Sequence, residues 1–236
     1  MLLLGPIIFR FLSLGSAVCR SEGCWRILAA AMTSNFKQPP AEGAVVGLVL
    51  AGGRSVRFEG EKAAAELDGR PLILWAALRL QRCCRAVAAS VRPGSESEGL
   101  ARAAGLPLLY DLPGDALGPL AGVKVGLMWA REQGARALAV SPCDAPLLPE
   151  DLFTRLIAGA GDGAALAETA ERAQPLCALW PVSALPDVTA ALAGGSHPAT
   201  WRLLQSLGAI RIRFDDAAAF ANINTRADLA AIAGRS

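Results

Sequence analysis

Residues 50–62 read LAGGRSVRFEGEK and directly follow the apolar run of residues 45–49. An apolar strand, a glycine pair and then two cations supply the chemistry that holds a nucleoside triphosphate. Gly52 and Gly53 lack a Cβ, so backbone N–H groups can approach phosphate oxygens and the turn can use positive φ. Arg57 offers phosphate a planar fork and Lys62 a mobile point charge. Leu50 and Ala51 lead the strand into the turn. A P-loop is excluded, because Lys62 follows Glu61 and precedes Ala63 where that motif needs Gly-Lys-Ser/Thr. The G-x-G-x-x-G dinucleotide fingerprint is also absent from this turn. Gly-Gly alone would read as a tight connection. The two cations at these spacings carry the chemical reading.

Three further segments hold polar groups in suggestive places: GPLAG at residues 118–122, PCDAPLLP at 142–149 and FANINTRADL at 220–229. Asp144 follows an apolar run, where a carboxylate can present a hard oxygen to Mg²⁺. By itself it reads as a turn aspartate, or as a cap for the helix after Pro149, and the other motifs turn the reading toward the metal. Gly118 and Gly122 let backbone pack against a ligand or the glycine turn, or they simply begin a helix with Pro119 at its first position. Asn222 and Asn224 are ligand contacts or loop residues. Thr225 reads as a helix cap, with Asp228 completing a capping box. His197, the single histidine, reads as a turn residue before Pro198.

These residues need elements to hold them. Strands are predicted at residues 45–50, 86–91, 107–110, 137–141, 164–168, 176–180 and 210–214. Helices are predicted at 72–84, 95–104, 118–133 (starting as a loop), 150–158, 185–193, 199–207 and 226–233. Such alternation implies an α/β fold, a single three-layer domain with a mostly parallel, Rossmann-like sheet. Ligands of such sheets bind beyond the carboxyl ends of the strands. The glycine turn, Asp111 and Asp144 each follow a predicted strand, so one crevice can gather them. Trp75, Trp129, Trp180 and Trp201 fall on predicted elements and read as packing residues.

The chain has 236 residues, is 53% apolar and carries a net charge of +2. That suffices for one domain, residues 44–236, with a large core. Acids and bases are interspersed, so neither a nucleic-acid stripe nor a polybasic membrane patch is indicated, and no stable membrane association is expected. Among six cysteines there is no C-x-x-C pair, which argues against zinc. Cys83 and Cys84 read as small buried residues on a helix in a reducing cytosol. Residues 1–43 read as a poorly structured extension with Met32 the more natural start. A targeting segment or anchor is the alternative, although the run lacks an early basic residue.

Taken in order, the four segments resemble the molybdenum cofactor guanylyltransferase family, within the nucleotidyltransferases that share LAGG-x-S-x-R-x-G-x-x-K. The similarity runs from about residue 45 to about 233. It implies a nucleotidyltransferase sheet and a cytoplasmic enzyme that moves GMP from GTP to the terminal phosphate of the molybdenum-pterin cofactor, releasing pyrophosphate. It implies that Leu50, Ala51, Gly52, Gly53, Lys62, Asp111 and Asp144 hold the nucleotide, and that Lys62, Arg57 and Asp144 are catalytic. Asp144 would carry Mg²⁺, and Gly118, Gly122, Asn222 and Asn224 would contact ligands. Molybdoenzymes or their chaperones would be transient partners.

The chain departs from the family pattern at several points. Glu59 stands where the signature glycine belongs, Glu61 replaces the usual aspartate before the lysine, and Ser90-Val91-Arg92-Pro93 lacks the expected asparagine. Residues 172–175 and 194–201 are also atypical and concern the acceptor. Two other readings therefore stay open. One is a related transferase using CTP or a sugar phosphate, and the other is a non-catalytic nucleotide-binding protein that delivers cofactor.

Overall fold

The computed structural model describes residues 44–53, 58, 60–115, 118–193 and 199–234. The expectations for Arg57, Glu59, His197 and the 1–43 extension lie outside the described residues. The chain runs β1 (Val45–Leu50), β2 (Glu66–Leu67), β3 (Arg70–Pro71), α1 (Leu72–Gln81), β4 (Val87–Ser90), α2 (Glu96–Ala103), β5 (Leu108–Leu109), α3 (Pro119–Glu132) and β6 (Ala137–Pro142). It continues with α4 (Leu152–Ala160), β7 (Ala165–Glu168), β8 (Ala173–Pro181), α5 (Leu185–Leu192), α6 (Thr200–Ser206), β9 (Ile210–Arg213) and α7 (Arg226–Ile232).

The apolar run of β1 makes it a central strand, buried on both faces. Val45 and Val49 join one core with Ile73, Leu80, Leu152 and Leu156 of α1 and α4. Val46 and Leu48 join a second core with Leu120, Leu127, Val188 and Leu204 of α3, α5 and α6. One strand therefore serves two helical layers, because successive side chains point to opposite faces. The result is the expected three-layer α/β domain. Seven strands run in the order β5-β4-β1-β6-β8-β7-β9. The pairings β5–β4, β4–β1, β1–β6 and β7–β9 are parallel, whereas β8 runs antiparallel to both β6 and β7.

From β1 the chain steps outward to β4 and β5, then crosses back to lay β6 on the other side of β1. That reversal opens a crevice between the helices beyond the carboxyl ends of β1 and β6.

Several expectations need correction. β8 spans Ala173–Pro181, longer than predicted at its start. A tight turn closes β7 onto it, with Thr169 N donating to Arg172 O at 2.9 Å, so residues 173–175 open the strand. The β2–β3 hairpin is additional. Its signal was Asp68-Gly69, where both residues take positive φ (49° and 73°), as a two-residue hairpin turn requires. Helix α1 ends at Gln81, so Cys83 and Cys84 lie past it. Both thiols are free, with Cys84 buried and Cys83 half-buried. Trp201 is not a core residue, being 45% exposed.

Candidate functional site

A cavity of about 450 Å³ lies at the reversal point. Leu50, Ala51, Gly52 and Gly53 form the part that follows β1, and Cys143 and Asp144 the part that follows β6. Asp111 lies beyond β5, while Gly118, Pro119 and Gly122 begin α3. Ser90 and Arg92 approach from β4, and Lys62 from the turn before β2.

Backbone bonds hold these strand ends in register. Ala51 N donates to Ser90 O at 2.9 Å, and Cys143 N donates to Leu50 O at 3.3 Å. Arg79 Nη1, from α1, donates to Pro146 O at 2.9 Å and braces the loop after β6. That loop gives α4 its N-cap residue, Asp151, so Asp144 is not the cap of that helix.

Lys62 and Asp144 meet directly. The lysine Nζ lies 3.1 Å from Asp144 Oδ2, with side chains 16% and 22% exposed. It also donates to Asn224 Oδ1 at 3.0 Å. The Asp144 carbonyl accepts from Ile223 N at 2.7 Å. Ile223 is anchored in a small apolar cluster with Phe58, Leu67 and Leu72. Thr225 then starts α7 with the expected capping box, exchanging bonds with Asp228. Asp228 also accepts from Asn224 N at 2.8 Å. These backbone bonds hold the Asp228 carboxyl below its ordinary range. The NINT segment is thus fixed from both ends and brings Asn224 to the lysine. Asn222 does not line this cavity. It belongs to an adjoining recess of about 160 Å³ bounded by residues 172–177 and Phe220.

The glycines have distinct reasons. Gly118 has φ 154° as the N-cap of α3, a conformation left to glycine. A Cβ at Gly122 would stand 2.7 Å from Leu50 Cδ2 and 2.9 Å from Ser90 Oγ, so its absence lets α3 press against the strand ends. Gly52 and Gly53 adopt no positive φ, contrary to expectation. A Cβ at Gly53 would meet nothing within 4 Å, and one at Gly52 would have only ordinary contacts. Their bare Cα atoms leave the space beside the turn open to a ligand.

Around these groups the charges are arranged unevenly. Asp115 is paired with Lys124 at 2.8 Å. Asp111 remains exposed to solvent at the rim. Partial burial, and then the nearby Asp115 carboxylate, push its pKa up. Burial, with Asp144 beside it, pushes the Cys143 thiol up to about 12, so this thiol is neutral and not nucleophilic. Among the described residues no three His, Cys, Asp or Glu side chains gather as a metal cluster. Arg92, which sequence reading recorded only as a departure, lines the cavity. The signal that could have found it is its place just past the end of β4, beside the strand that leads into the glycine turn.

The MobA-like NTP transferase domain family matches residues 47–210. A molybdenum cofactor guanylyltransferase of Cereibacter sphaeroides is 43% identical over 187 residues, covering 78% of this chain and 93% of the relative. One from Rhodobacter capsulatus is 42% identical over 188 residues, covering 79% and 93%. Among solved structures, molybdopterin-guanine dinucleotide biosynthesis protein A of Archaeoglobus fulgidus superposes with a TM-score of 0.65 at 23% identity, covering 80% of this chain and 96% of that one. A 2-C-methyl-D-erythritol 4-phosphate cytidylyltransferase of Thermus thermophilus gives 0.58 at 20%, covering 78% and 95%. The structural likenesses show the fold, which cytidylyl- and guanylyltransferases share. The sequence matches divide that group, and they put the chain in the MobA-like NTP transferase family, among the molybdenum cofactor guanylyltransferases.

Proposed function

We propose that the protein transfers GMP from GTP to the terminal phosphate of the molybdenum-pterin cofactor and releases pyrophosphate. The observation that carries this reading is the meeting of Lys62, Asp144 and Asn224 beside an open glycine turn. One cation, one carboxylate and a bare backbone there face a cavity of about 450 Å³. In this reading Gly52 and Gly53 admit the triphosphate, and Lys62 and Arg57 neutralise it. Asp111, Gly118 and Gly122 contact the nucleotide, and Asn222, in the adjoining recess, faces the acceptor. The attacking group is already an anionic phosphate, so in-line attack at the α-phosphorus needs no strong general base. Positioning and charge neutralisation suffice.

Mg²⁺ fits the donor set. Asp144 Oδ2 takes the lysine, whereas Oδ1 accepts no hydrogen bond among the described residues. A single carboxylate with phosphates and water is a common octahedral set for this ion. The chemistry the ion supplies when bound is charge neutralisation on the phosphates. No helix among the described residues is long and apolar enough to cross a membrane. A cytoplasmic reaction, with product passed to molybdoenzymes or their chaperones, is part of the same proposal.

The test is pyrophosphate release from GTP, CTP, ATP and UTP with Mg²⁺ and molybdenum-pterin acceptor. Release with GTP alone is expected, falling at least about 100-fold in Asp144→Ala. Release with CTP in preference would replace the reading with a cytidylyltransferase. GTP binding without release would leave a cofactor-delivery protein.

A further inference from the structure

Glu61 immediately precedes Lys62 but does not line the cavity. Its carboxylate is seated on the N-terminus of α2 instead. Oε2 accepts from Glu96 N at 2.6 Å and Ser97 N at 3.2 Å, while Oε1 accepts from Ser97 Oγ. These amides are among those a helix leaves unpaired, and a carboxylate there complements the positive end of the helix dipole. The helix already has its own cap, Ser95, whose Oγ accepts from Glu98 N at 3.2 Å. Glu61 is therefore a second, distant cap. Ser97 is completely buried, and its hydroxyl finds its carboxylate partner in Glu61. On its outer side Glu61 faces Arg92, with Nη2 3.9 Å from Oε1, and the acid itself is only 11% exposed.

Both neighbours of this carboxylate line the nucleotide cavity. Lys62 is the next residue along the chain, so fixing Glu61 leaves the lysine backbone little freedom. Arg92 follows β4, adjacent to β1, and is drawn inward by the same charge. One acid thus ties two loops to one helix end and leaves a cation from each loop on the cavity lining.

We propose that Glu61 is a positioning residue for the nucleoside triphosphate. Docked on α2, it fixes Lys62 and steers Arg92 so that both cations face the phosphates. The proposal rests on the reading that the cavity takes GTP. It also accounts for two departures together: the longer acid at position 61 reaches the helix, and the arginine at position 92 is its ionic neighbour.

The test uses the full chain and the variants Glu61→Gln, Glu61→Asp, Lys62→Ala and Glu61→Gln/Lys62→Ala. GTP affinity is measured by calorimetry, pyrophosphate release by steady-state kinetics, and backbone mobility by amide hydrogen exchange. Glu61→Gln is expected to weaken GTP binding about tenfold, with kcat within about threefold, and to speed exchange at residues 62–64 and 96–97. Glu61→Asp keeps the charge but loses about 1.5 Å of reach, and it should fall between Gln and wild type. In the Lys62→Ala background the glutamine should cost clearly less, about threefold, because only its hold on Arg92 is left to lose. An equal loss in both backgrounds means a general folding role and sinks the proposal, as does wild-type affinity in Glu61→Gln. If the wild-type chain binds no GTP, the functional reading fails separately. The exchange data still decide the positioning role, and unchanged exchange at residues 62–64 overturns it.

Discussion

At the residue scale, the Lys62–Asp144 pair is polar but not secluded, and each partner has a separate reason to stay where it is. Lys62 is held through Asn224 and through its neighbour Glu61, and Asp144 through its carbonyl bond to Ile223 N. Lys62 and Asp144 were legible as chemistry from their types and motif positions. Their bond to the NINT segment was not, because Lys62 and Asn224 are 162 positions apart and nothing local encodes the contact. Asp111 is the site residue with the clearest tension between stability and binding. Burial and then Asp115 raise its folded pKa above the ordinary 3.8. A raised folded value means the contribution to stability is fully present below the unfolded pKa and is lost as pH rises through the folded one. At neutral pH the ionised Asp111 therefore costs stability. Asp111→Asn should melt higher than wild type at pH 7, and the gain should shrink as pH falls toward 3.8. If Asp111 holds the nucleotide, the same variant should raise KM for GTP severalfold. Thermal melts across pH and a KM series test the two parts separately.

At the element scale, α3 carries two glycines on its inner face whose replacement separates packing from binding. A Cβ on Gly126 would stand 2.6 Å from Leu48 Cδ2 and 2.8 Å from Leu138 Cδ2. Both leucines are fully buried in the sheet, so neither tip can swing away. Gly126→Ala gains about 1 kcal/mol of helix propensity but overpacks the core at a cost of about 1–3 kcal/mol. We expect a net loss of about 1 kcal/mol with KM for GTP unchanged. Gly122→Ala should lose similar stability, but its Cβ presses on Leu50 and Ser90, which line the cavity, so KM for GTP should also rise. Denaturant melts and kinetics on the two variants check this, and an equal rise of KM in both would contradict the close-approach role given to Gly122. The sequence revealed most elements because their patterns were strong. The continuous apolar run of β1 and the Pro119 start of α3 are local signals. The β2–β3 hairpin was missed because each of its strands has two residues, too few to show alternation. The first residues of β8 were missed because their pairing with β7 is a tertiary fact, and Ala173-Gln174-Pro175 has no strand pattern of its own.

At the scale of the whole molecule, the fold places its chemistry at one reversal of strand order. Residues that follow β1, β4 and β6 meet there with the start of α3. The antiparallel half, with β8 between β6 and β7, follows from the tight turn at residues 169–172, since a parallel neighbour would need a crossover of a dozen residues or more. What the domain requires at its beginning is β1, whose neighbours on both sides are already paired strands. Among the described residues, the first bond of that strand region is Arg136 N donating to Ala44 O at 3.0 Å. The relatives bear on the same boundary: 187 residues of alignment account for 93% of the Cereibacter sphaeroides protein, and the family match begins at residue 47. That relative therefore has little chain outside the aligned region. We expect a chain lacking residues 1–40 to keep the melting temperature within about 2 °C, equivalent to under about 1 kcal/mol for a domain of this size, and to keep the rate of pyrophosphate release from GTP. Parallel melts and assays of the full and shortened chains decide the matter. A large drop in melting temperature would show that the first forty residues pack onto the domain. Unchanged stability with lost turnover would give them a part in the reaction that neither β1 nor the cavity requires.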